Sequence, residues 1–275
     1  QFEIAYGDVL GSGSTYYNPS VEGKSPSLSI YGQYRSLILE DETKSFIFGD
    51  GNNVLTAVNF YALSIDRARY KESLFPGSLN LVLSGSNGTI HLTDNSKDIS
   101  LNSFIGSSKV YQLISGSNGT AGTLANSGYV AGSGSYGLVF PELGTVLLNP
   151  QAVSQSIHVG DIRTANSANG ANNTALFNAI NLGENFKLNS QETITSDYVF
   201  TRARNSEFNY TQNPTFISGS TGEVIYDNFI NNPQTYITTI GMYNDSNDLL
   251  AVAKLSRPLL KDFTKEALVR VKLDF

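Results

Sequence analysis

The sequence predicts a mainly β protein with antiparallel sheets or a sandwich, a C-terminal hairpin plus one strand, about two short helices and long Gly/Ser/Asn loops. Three observations predict this class. Short apolar runs recur along the chain with turn residues between them. Asn-Gly follows two of these runs, where a hairpin would turn. Near the last residue, Val269, Val271 and Leu273 alternate with Arg270 and Lys272, which is the period of a strand with one buried face.

Residues 1–34 are expected to form an extended arm or surface loop. Gly11–Ser14 reads Gly-Ser-Gly-Ser, which favours a flexible connection, and Pro19 disfavours regular strand pairing. Between them lie Tyr16 and Tyr17, whose large amphipathic side chains suit packing within the arm or docking on a neighbouring subunit.

Residues 35–275 are expected to form a β-rich structural domain. Two stretches, 115–137 and 161–173, are rich in Gly, Ser, Ala and Asn and predict long surface loops. The second of them leaves open a division of the domain into two subdomains near residues 160–175.

Several elements inside this domain have their own local signals. The hexapeptide Ser-Gly-Ser-Asn-Gly-Thr occurs at 84–89 and again at 115–120, and each copy predicts a hairpin turn. Leu138–Leu148 is a nearly continuous apolar run that predicts two buried strands broken at Pro141. Asn173–Ile180 places its apolar residues on one helical face and predicts a short helix.

The C-terminal segment carries the clearest pattern. Apolar runs at 235–243 and 249–255 flank the polar tip Asn244–Asp248, which predicts a β-hairpin. The alternation of the strand that follows continues to Phe275. We therefore expect the Phe275 side chain to complete the buried face, in the core or in a neighbouring subunit.

Composition limits the classes of function. Hydrophobic residues make up 40% of the 275 residues, whereas charged residues make up only 15%, against about 25% in an ordinary globular protein. Such a neutral polar surface suits a protein packed against other subunits, although a β-rich enzyme domain would also fit. The net charge of −6 and the scattered basic residues argue against nucleic-acid binding. The absence of cysteine excludes disulfides, thiolate nucleophiles and Cys-based zinc sites.

No pattern in the sequence predicts a catalytic, metal or cofactor site. His91 and His158 are the two histidines, and neither has other ligand-type residues at the spacing of a metal site. No Gly-x-Ser-x-Gly elbow occurs at a strand-to-helix turn. The acidic clusters, Glu40–Glu42 and the Asp245/Asp248 pair, fall in predicted turns where solvated carboxylates are expected. No run approaches the roughly 18 apolar residues of a membrane span.

Five stretches carry a resemblance to known proteins. The segment 238–258 resembles a hairpin that recurs in tailed-phage tail, baseplate and fibre-attachment proteins. The segments 33–35, 71–77, 204–216 and 270–275 are similar to a virion structural protein of T4-like marine cyanophages and related myoviruses. That similarity extends over most of the chain.

The resemblance implies a structural subunit of a contractile-tailed phage particle, in the tail or baseplate rather than the head, that acts by subunit assembly without catalysis or a cofactor. Its implied partners are other virion structural proteins and further copies of itself, not nucleic acid or a membrane. Members of the family usually begin with an additional N-terminal region, and the start at Gln1 fits a missing portion of that kind. The residues expected to contact neighbouring subunits are Tyr16, Tyr17, Tyr243, Arg270, Lys272 and Phe275.

Other functions stay open at this point. The Tyr- and Asn-rich loops would suit a carbohydrate-binding adhesin at the tail tip, and the absence of tryptophan weakens that hypothesis. A head or neck decoration protein is a second alternative. A wall or capsule hydrolase would require two carboxylates placed about 5–10 Å apart, which sequence spacing does not reveal.

Overall fold

The computed structural model describes residues 1–14, 20, 24–50, 53–98, 103–122, 128–158, 171–211 and 213–275. The chain divides into an N-terminal unit, Gln1–Thr193, and a C-terminal unit, Ile194–Phe275. The protein is mainly β, with 44% of residues in strands, and the predicted fold class is confirmed. Tyr16 and Tyr17 lie outside the described residues.

The N-terminal unit is built on one large antiparallel sheet. The strands of the whole N-terminal unit are β1 (Phe2–Asp8), β2 (Ile47–Asp50), β3 (Asn53–Thr56), β4 (Asn59–Ile65), β5 (Ser73–Leu74), β6 (Asn80–Gly85), β7 (Gly88–Asp94), β8 (Ser103–Ile105), β9 (Ser108–Ser117), β10 (Thr120–Ala121), β11 (Gly137–Phe140), β12 (Thr145–Leu148), β13 (Phe186–Lys187) and β14 (Ser190–Gln191). Its helices are α1 (Pro26–Leu39), α2 (Pro150–Ile157), α3 (Ala171–Gly183) and a 3-10 turn at Arg67–Arg69. The sheet order is β1-β4-β12-β11-β9-β7-β6-β13, and β8 and β10 also pair with β9. Separately, β2 pairs with β3 and β5 pairs with β14.

The central strands of this sheet are buried on both faces. In β4, Tyr61 and Leu63 enter one hydrophobic cluster, while Phe60 and Ala62 enter a second cluster on the opposite face. Every residue of β11 and β12 is buried, which confirms the two buried strands predicted on either side of Pro141. A nearly continuous apolar run is typical of a strand with no solvent-facing side.

Helices and a short hairpin cover these two faces. On the first face, α2 and α3 contribute Ile157 and Leu176 to the cluster. On the second face, Tyr31 and Ile38 come from α1 and Phe48 comes from β2. The sheet therefore has a separate apolar layer on each side.

The expected N-terminal arm is wrong for the described residues of that segment. The first strand, β1, pairs with β4 along its whole length, from Phe2 opposite Ile65 to Asp8 opposite Asn59. Helix α1 then begins at Pro26, where a proline fits because the first helical N–H needs no intrahelical partner. The sequence does not predict α1, because the apolar residues of this helix do not form one clear stripe.

The two copies of the repeated hexapeptide both form hairpins, as predicted. The turn is Ser86–Asn87 between β6 and β7, but Asn118–Gly119 between β9 and β10. In the second copy both turn residues have positive φ, 52° and 81°, which is the geometry of a type I′ turn. The turn in the first hexapeptide therefore begins one residue earlier than the turn in the second, because the strands on either side set the register.

The predicted loops and subdomain boundary need correction. The 115–137 stretch begins inside β9, includes β10 and ends at the first residue of β11, and its residues 123–127 lie outside the described part. The other stretch is described only from residue 171, where α3 begins. The division lies between Thr193 and Ile194 rather than near 160–175, because α3 and β13 still pack on the N-terminal sheet.

The C-terminal unit consists mainly of two antiparallel ribbons. Its elements are β15 (Ser196–Ala203), α4 (Asp227–Asn231), β16 (Gln234–Tyr243), β17 (Leu249–Asp262) and β18 (Ala267–Asp274). Strand β16 pairs with β17, and the tip between them is Asn244–Asp248, so the predicted hairpin is confirmed. Strand β15 pairs with β18, the predicted terminal strand.

Strand β17 extends to Asp262, whereas the apolar run in the sequence ends at Leu255. Between the pairs Ile237–Leu259 and Thr239–Lys254, the four residues of Leu255–Pro258 oppose a single residue of β16. A proline has no N–H for the ladder, so it is accommodated in a bulge. The bulge lets the strand resume beyond Pro258 and reach Asp262.

The start of α2 depends on one buried side chain. Asn149 Oδ1 accepts hydrogen bonds from the backbone N–H groups of Gln151 (3.1 Å) and Ala152 (3.4 Å). Asn149 Nδ2 donates to the carbonyl oxygens of Ser133 (2.6 Å) and Ser135 (2.8 Å). One residue thus caps the helix and ties it to the segment that precedes β11.

We expect Asn149→Ala to lower the free energy of unfolding by about 2–4 kcal/mol, since it removes a helix cap and leaves buried carbonyl groups unpaired. Urea titration followed by far-UV circular dichroism measures the change. Gln151→Ala, at an exposed side chain in the same helix, is the control and should shift the midpoint little. An equal effect of the two substitutions would contradict the role given to Asn149.

Candidate functional site

The exposed hydrophobic side chains concentrate in the C-terminal unit. Among the described residues, twenty-six large hydrophobic side chains are exposed, and eighteen of them lie in this unit. We call these eighteen the C-terminal apolar surface: Ile194, Tyr198, Val199, Phe200, Phe208, Tyr210, Ile225, Tyr226, Ile230, Tyr236, Tyr243, Leu249, Leu250, Val252, Leu259, Phe263, Leu268 and Phe275. The unit is less than a third of the chain, so exposed large hydrophobic side chains are over-represented in it.

The interior of the same unit is small. Its buried hydrophobic residues, within the described part, are Ala203, Phe229, Ala267 and Val271. Two of these four are alanines, whose side chains bury little area. A two-stranded ribbon is marginally stable in water unless a further layer packs on it. Outside the ribbons, the Phe229 ring contacts the rings of Tyr210 and Phe216.

The two faces of the β15–β18 ribbon differ in burial. On one face Val199 lies opposite Val271, and Ala203 lies opposite Ala267. On the other face every residue except the half-buried Ser196 is exposed, and Phe200 is 63% exposed beside Arg270. The alternation expected for the terminal strand is therefore present, and its outward face also carries apolar side chains.

Charged side chains on that outward face interact within the ribbon. The Arg270 guanidinium lies 5.4 Å from the centroid of the Tyr198 ring. Lys272 Nζ lies 2.8 Å from an Asp274 carboxylate oxygen, and Ser196 Oγ donates to the same carboxylate at 2.6 Å. The Lys272 ammonium and then the Ser196 hydroxyl hold the pKa of Asp274 below its usual value.

The β16–β17 hairpin also presents an apolar side to solvent. Val252 in β17 is 57% exposed, and Leu250 nearby is 66% exposed. Tyr243 lies at the end of β16, and its ring lies so close to Gly241 that a Cβ atom there would come within 2.9 Å of it. The glycine therefore provides space for the tyrosine ring beside the strand.

An uncharged groove of about 630 Å³ lies within the C-terminal unit. Thr201 and Ala203 of β15 line it together with Ala267 and Val269 of β18, and β16 contributes residues along 235–243. The aromatic side chains that line it are Phe208, Tyr210, Tyr236 and Tyr243. None of its lining residues is charged, so the groove suits an apolar or neutral polar occupant.

The contact residues expected from the sequence have different outcomes. Tyr243 is exposed and lines the groove, and Arg270 and Lys272 share the outward face of β18. The expected burial of Phe275 is wrong within this chain, because its side chain is 70% exposed. Its backbone is nevertheless paired, since Phe275 and Thr195 exchange N–H···O hydrogen bonds of 3.0 and 3.2 Å.

Comparisons of the chain with protein-family models, with curated proteins and with solved structures found no match.

The residues considered for chemistry are dispersed. His91 and His158 are both exposed, the first in β7 and the second directly after α2. No group of three or more His, Asp or Glu side chains that could hold a metal ion occurs among the described residues. Within the same residues, no helix is both long and apolar enough to cross a membrane.

The acidic clusters serve local structure. The Thr43 hydroxyl and N–H donate to Asp41 and lower the pKa of that carboxyl to about 2. Ser107 donates to Glu40 and lowers the pKa of that carboxyl. At the hairpin tip, Asn244 and Asp248 bond to each other and close the turn. Each of these hydrogen-bonded carboxylates is thus explained by the local structure around it.

A buried lysine organises the loop after β15. Lys261 in β17 is fully buried, and its ammonium donates to Asn205 O (3.0 Å), Asn209 Oδ1 (2.7 Å) and Asp262 O (2.9 Å). All three of its donor hydrogens thus have an acceptor. No sequence pattern indicated this role, because the acceptors lie more than fifty residues away in the chain or belong to the backbone.

We expect Lys261→Met to destabilise the loop that contains Asn205 and Asn209 by about 1–3 kcal/mol, since it leaves their acceptors unpaired. Hydrogen exchange of the Asn205–Tyr210 amides measures the change and should become faster. Lys254→Met in the same strand is the control, because Lys254 is exposed. Unchanged exchange in the Lys261 variant would show that its bonds do not hold the loop.

Proposed function

We propose that this chain is a non-enzymatic structural subunit of a contractile-tailed phage particle, located in the tail or baseplate region and acting by subunit assembly. Its partners are other virion structural proteins and further copies of the chain. Neither a cofactor nor a catalytic residue takes part in this function.

The C-terminal apolar surface is the observation that carries the proposal. Within the described residues, the unit has eighteen exposed large hydrophobic side chains, whereas its buried hydrophobic residues are Phe229, Val271 and two alanines. Scattered apolar side chains are normal on a monomer, whereas such a concentration in one unit is typical of a surface that a partner covers.

The low content of charged residues also supports assembly. Charged residues are 15% of the chain, and the groove lined by β15, β16 and β18 has none. The centres of protein interfaces are depleted in charged residues and enriched in aromatic ones, because charges are costly to desolvate. The position in the tail rests on the similarity of the 238–258 hairpin to tail and baseplate proteins.

Particle composition tests the proposal directly. Virions of the phage that encodes this chain would be purified, treated with nuclease and examined by mass spectrometry, and tails separated from heads would be compared. We expect the chain in the virion and in the tail fraction. Absence from the virion would refute the function, and presence in the head fraction alone would refute the location.

We expect Phe275→Ser to lower incorporation into particles by at least about fivefold, since an exposed aromatic ring in an interface commonly contributes more than 1 kcal/mol. The backbone pairing with Thr195 does not involve the ring, so the fold should persist. The ratio of this chain to other virion proteins in purified particles gives the result. Phe104→Ser is the matched control, since Phe104 is 58% exposed in the N-terminal unit. Equal incorporation of the two variants would show that Phe275 is not part of the contact surface.

The groove favours one second function, a carbohydrate-binding adhesin. Aromatic rings and threonine hydroxyls together suit a sugar, and about 630 Å³ lies within the range of small-molecule sites. The sequence-based version of this hypothesis relied on Tyr16 and Tyr17, which lie outside the described residues.

For this second function, we expect the purified chain to bind particular oligosaccharides on a glycan array, and Tyr210→Ala or Tyr236→Ala to weaken binding at least about fivefold by removing a stacking surface. Tyr198→Ala is the control, because Tyr198 is exposed but does not line the groove. No glycan binding by the unmodified chain would reject this alternative.

A further inference from the structure

We infer that the C-terminal apolar surface is covered by the C-terminal unit of a second copy of this chain, and that this unit gains much of its stability from that contact. The inference rests on the proposed function, since it names the partner of the surface to which assembly is assigned. Three observations favour a second copy: the size of the surface, the small interior beneath it and the charge balance of the unit.

The surface is large enough for a stable interface. Eighteen large side chains, each exposed by 37% or more, present on the order of 1,500 Å² of apolar area. These side chains are distributed over both faces of the ribbons, and a stable complex buries roughly 800 Å² on each partner. Half of the C-terminal apolar surface would therefore suffice for a homodimer contact.

The interior of the unit is small for its length. An 82-residue domain would ordinarily hide several large apolar side chains, whereas Phe229 and Val271 are the two large ones buried in the described part of Ile194–Phe275. The N-terminal unit differs, since both large hydrophobic clusters consist of its residues alone. A contact that supplies the missing apolar layer should therefore stabilise the C-terminal unit selectively.

The net charge of the C-terminal unit is close to zero, which favours a second copy of the unit as its partner. Residues 194–275 contain nine acidic and eight basic side chains, a net charge of −1, whereas residues 1–193 contain fifteen acidic and ten basic ones, a net charge of −5. Several charges are also paired inside the unit, including Arg202 with Glu266 at 2.6 Å and Lys265 with Asp262 at 3.3 Å. Two nearly neutral copies would not repel each other, whereas a strongly charged partner would find no complementary field.

The shape of the ribbons is compatible with self-association. Each ribbon has two strands, so β15, β16, β17 and β18 each pair with a single strand among the described residues of the unit. Unpaired strand edges beside apolar side chains can pair with another copy by main-chain hydrogen bonds. A symmetric dimer uses each such contact twice, which doubles the area gained from one surface.

The first test measures the assembly state of the purified full chain by sedimentation velocity and light scattering from about 1 to 100 μM. We expect an oligomer that dissociates on dilution. A chain that stays monomeric at the highest concentration overturns the inference, since another partner must then cover the surface. Detection of the chain in virions would still support the proposed function in that case, so the two failures are distinguishable.

Matched substitutions then locate the contact. Val252→Lys and Phe200→Glu place charges on the C-terminal apolar surface, and each should weaken association at least about tenfold. Val54→Lys and Phe104→Glu make the same changes at side chains that are 52% and 58% exposed in the N-terminal unit, against 57% and 63% for the test positions. Equal association constants for test and control variants would overturn the inference.

Hydrogen exchange of the unmodified chain tests the same contact without any variant. Amides of β15–β18 should exchange more slowly at high concentration than at low concentration, because the oligomer protects them. Amides of β4, β11 and β12 should show no such dependence. Exchange in β15–β18 that is equally slow at every concentration would show that the unit is stable without a second copy.

Discussion

The N-terminal unit depends on one constraint, which is that its central strands are apolar on both sides. A strand such as β4, with Tyr61 and Leu63 on one face and Phe60 and Ala62 on the other, cannot lie against water on either side. Helices α2 and α3 are required on the first face, and α1 with β2 on the second. The buried Asn149 side chain follows from the same arrangement, because it satisfies backbone groups that the helical layer removes from solvent.

The C-terminal unit has the same strand chemistry without the covering layers. Its ribbons alternate as strands do, but side chains such as Phe200 and Val252 remain exposed on faces that no other element of the unit covers. The same faces also carry charged side chains, some of which pair with one another, as Lys272 does with Asp274. Within the described residues, the unit thus exposes more large hydrophobic side chains than it buries, which the proposed assembly would explain.

The two candidate functions make different uses of one groove. Its neutral lining suits an apolar segment of a neighbouring subunit, and its aromatic side chains also suit a sugar ring. The two occupants exclude each other at any one time. Assembly accounts in addition for Leu250, Val252 and Phe200, which do not line the groove, and a sugar does not.

The sequence by itself determined the elements whose signals are local. The hexapeptide Ser-Gly-Ser-Asn-Gly-Thr and the Asn244–Asp248 tip specified turns, because Gly, Asn, Asp and Ser favour a tight reversal, and the run on either side of Pro141 specified two buried strands. Only the tertiary structure decided that β1 joins the sheet, that Lys261 is buried, and that the Phe275 ring faces solvent while its backbone is paired. These features depend on residues far away in the chain, such as Asn205 for Lys261, and a periodic pattern records which side of a strand is apolar but not what covers it.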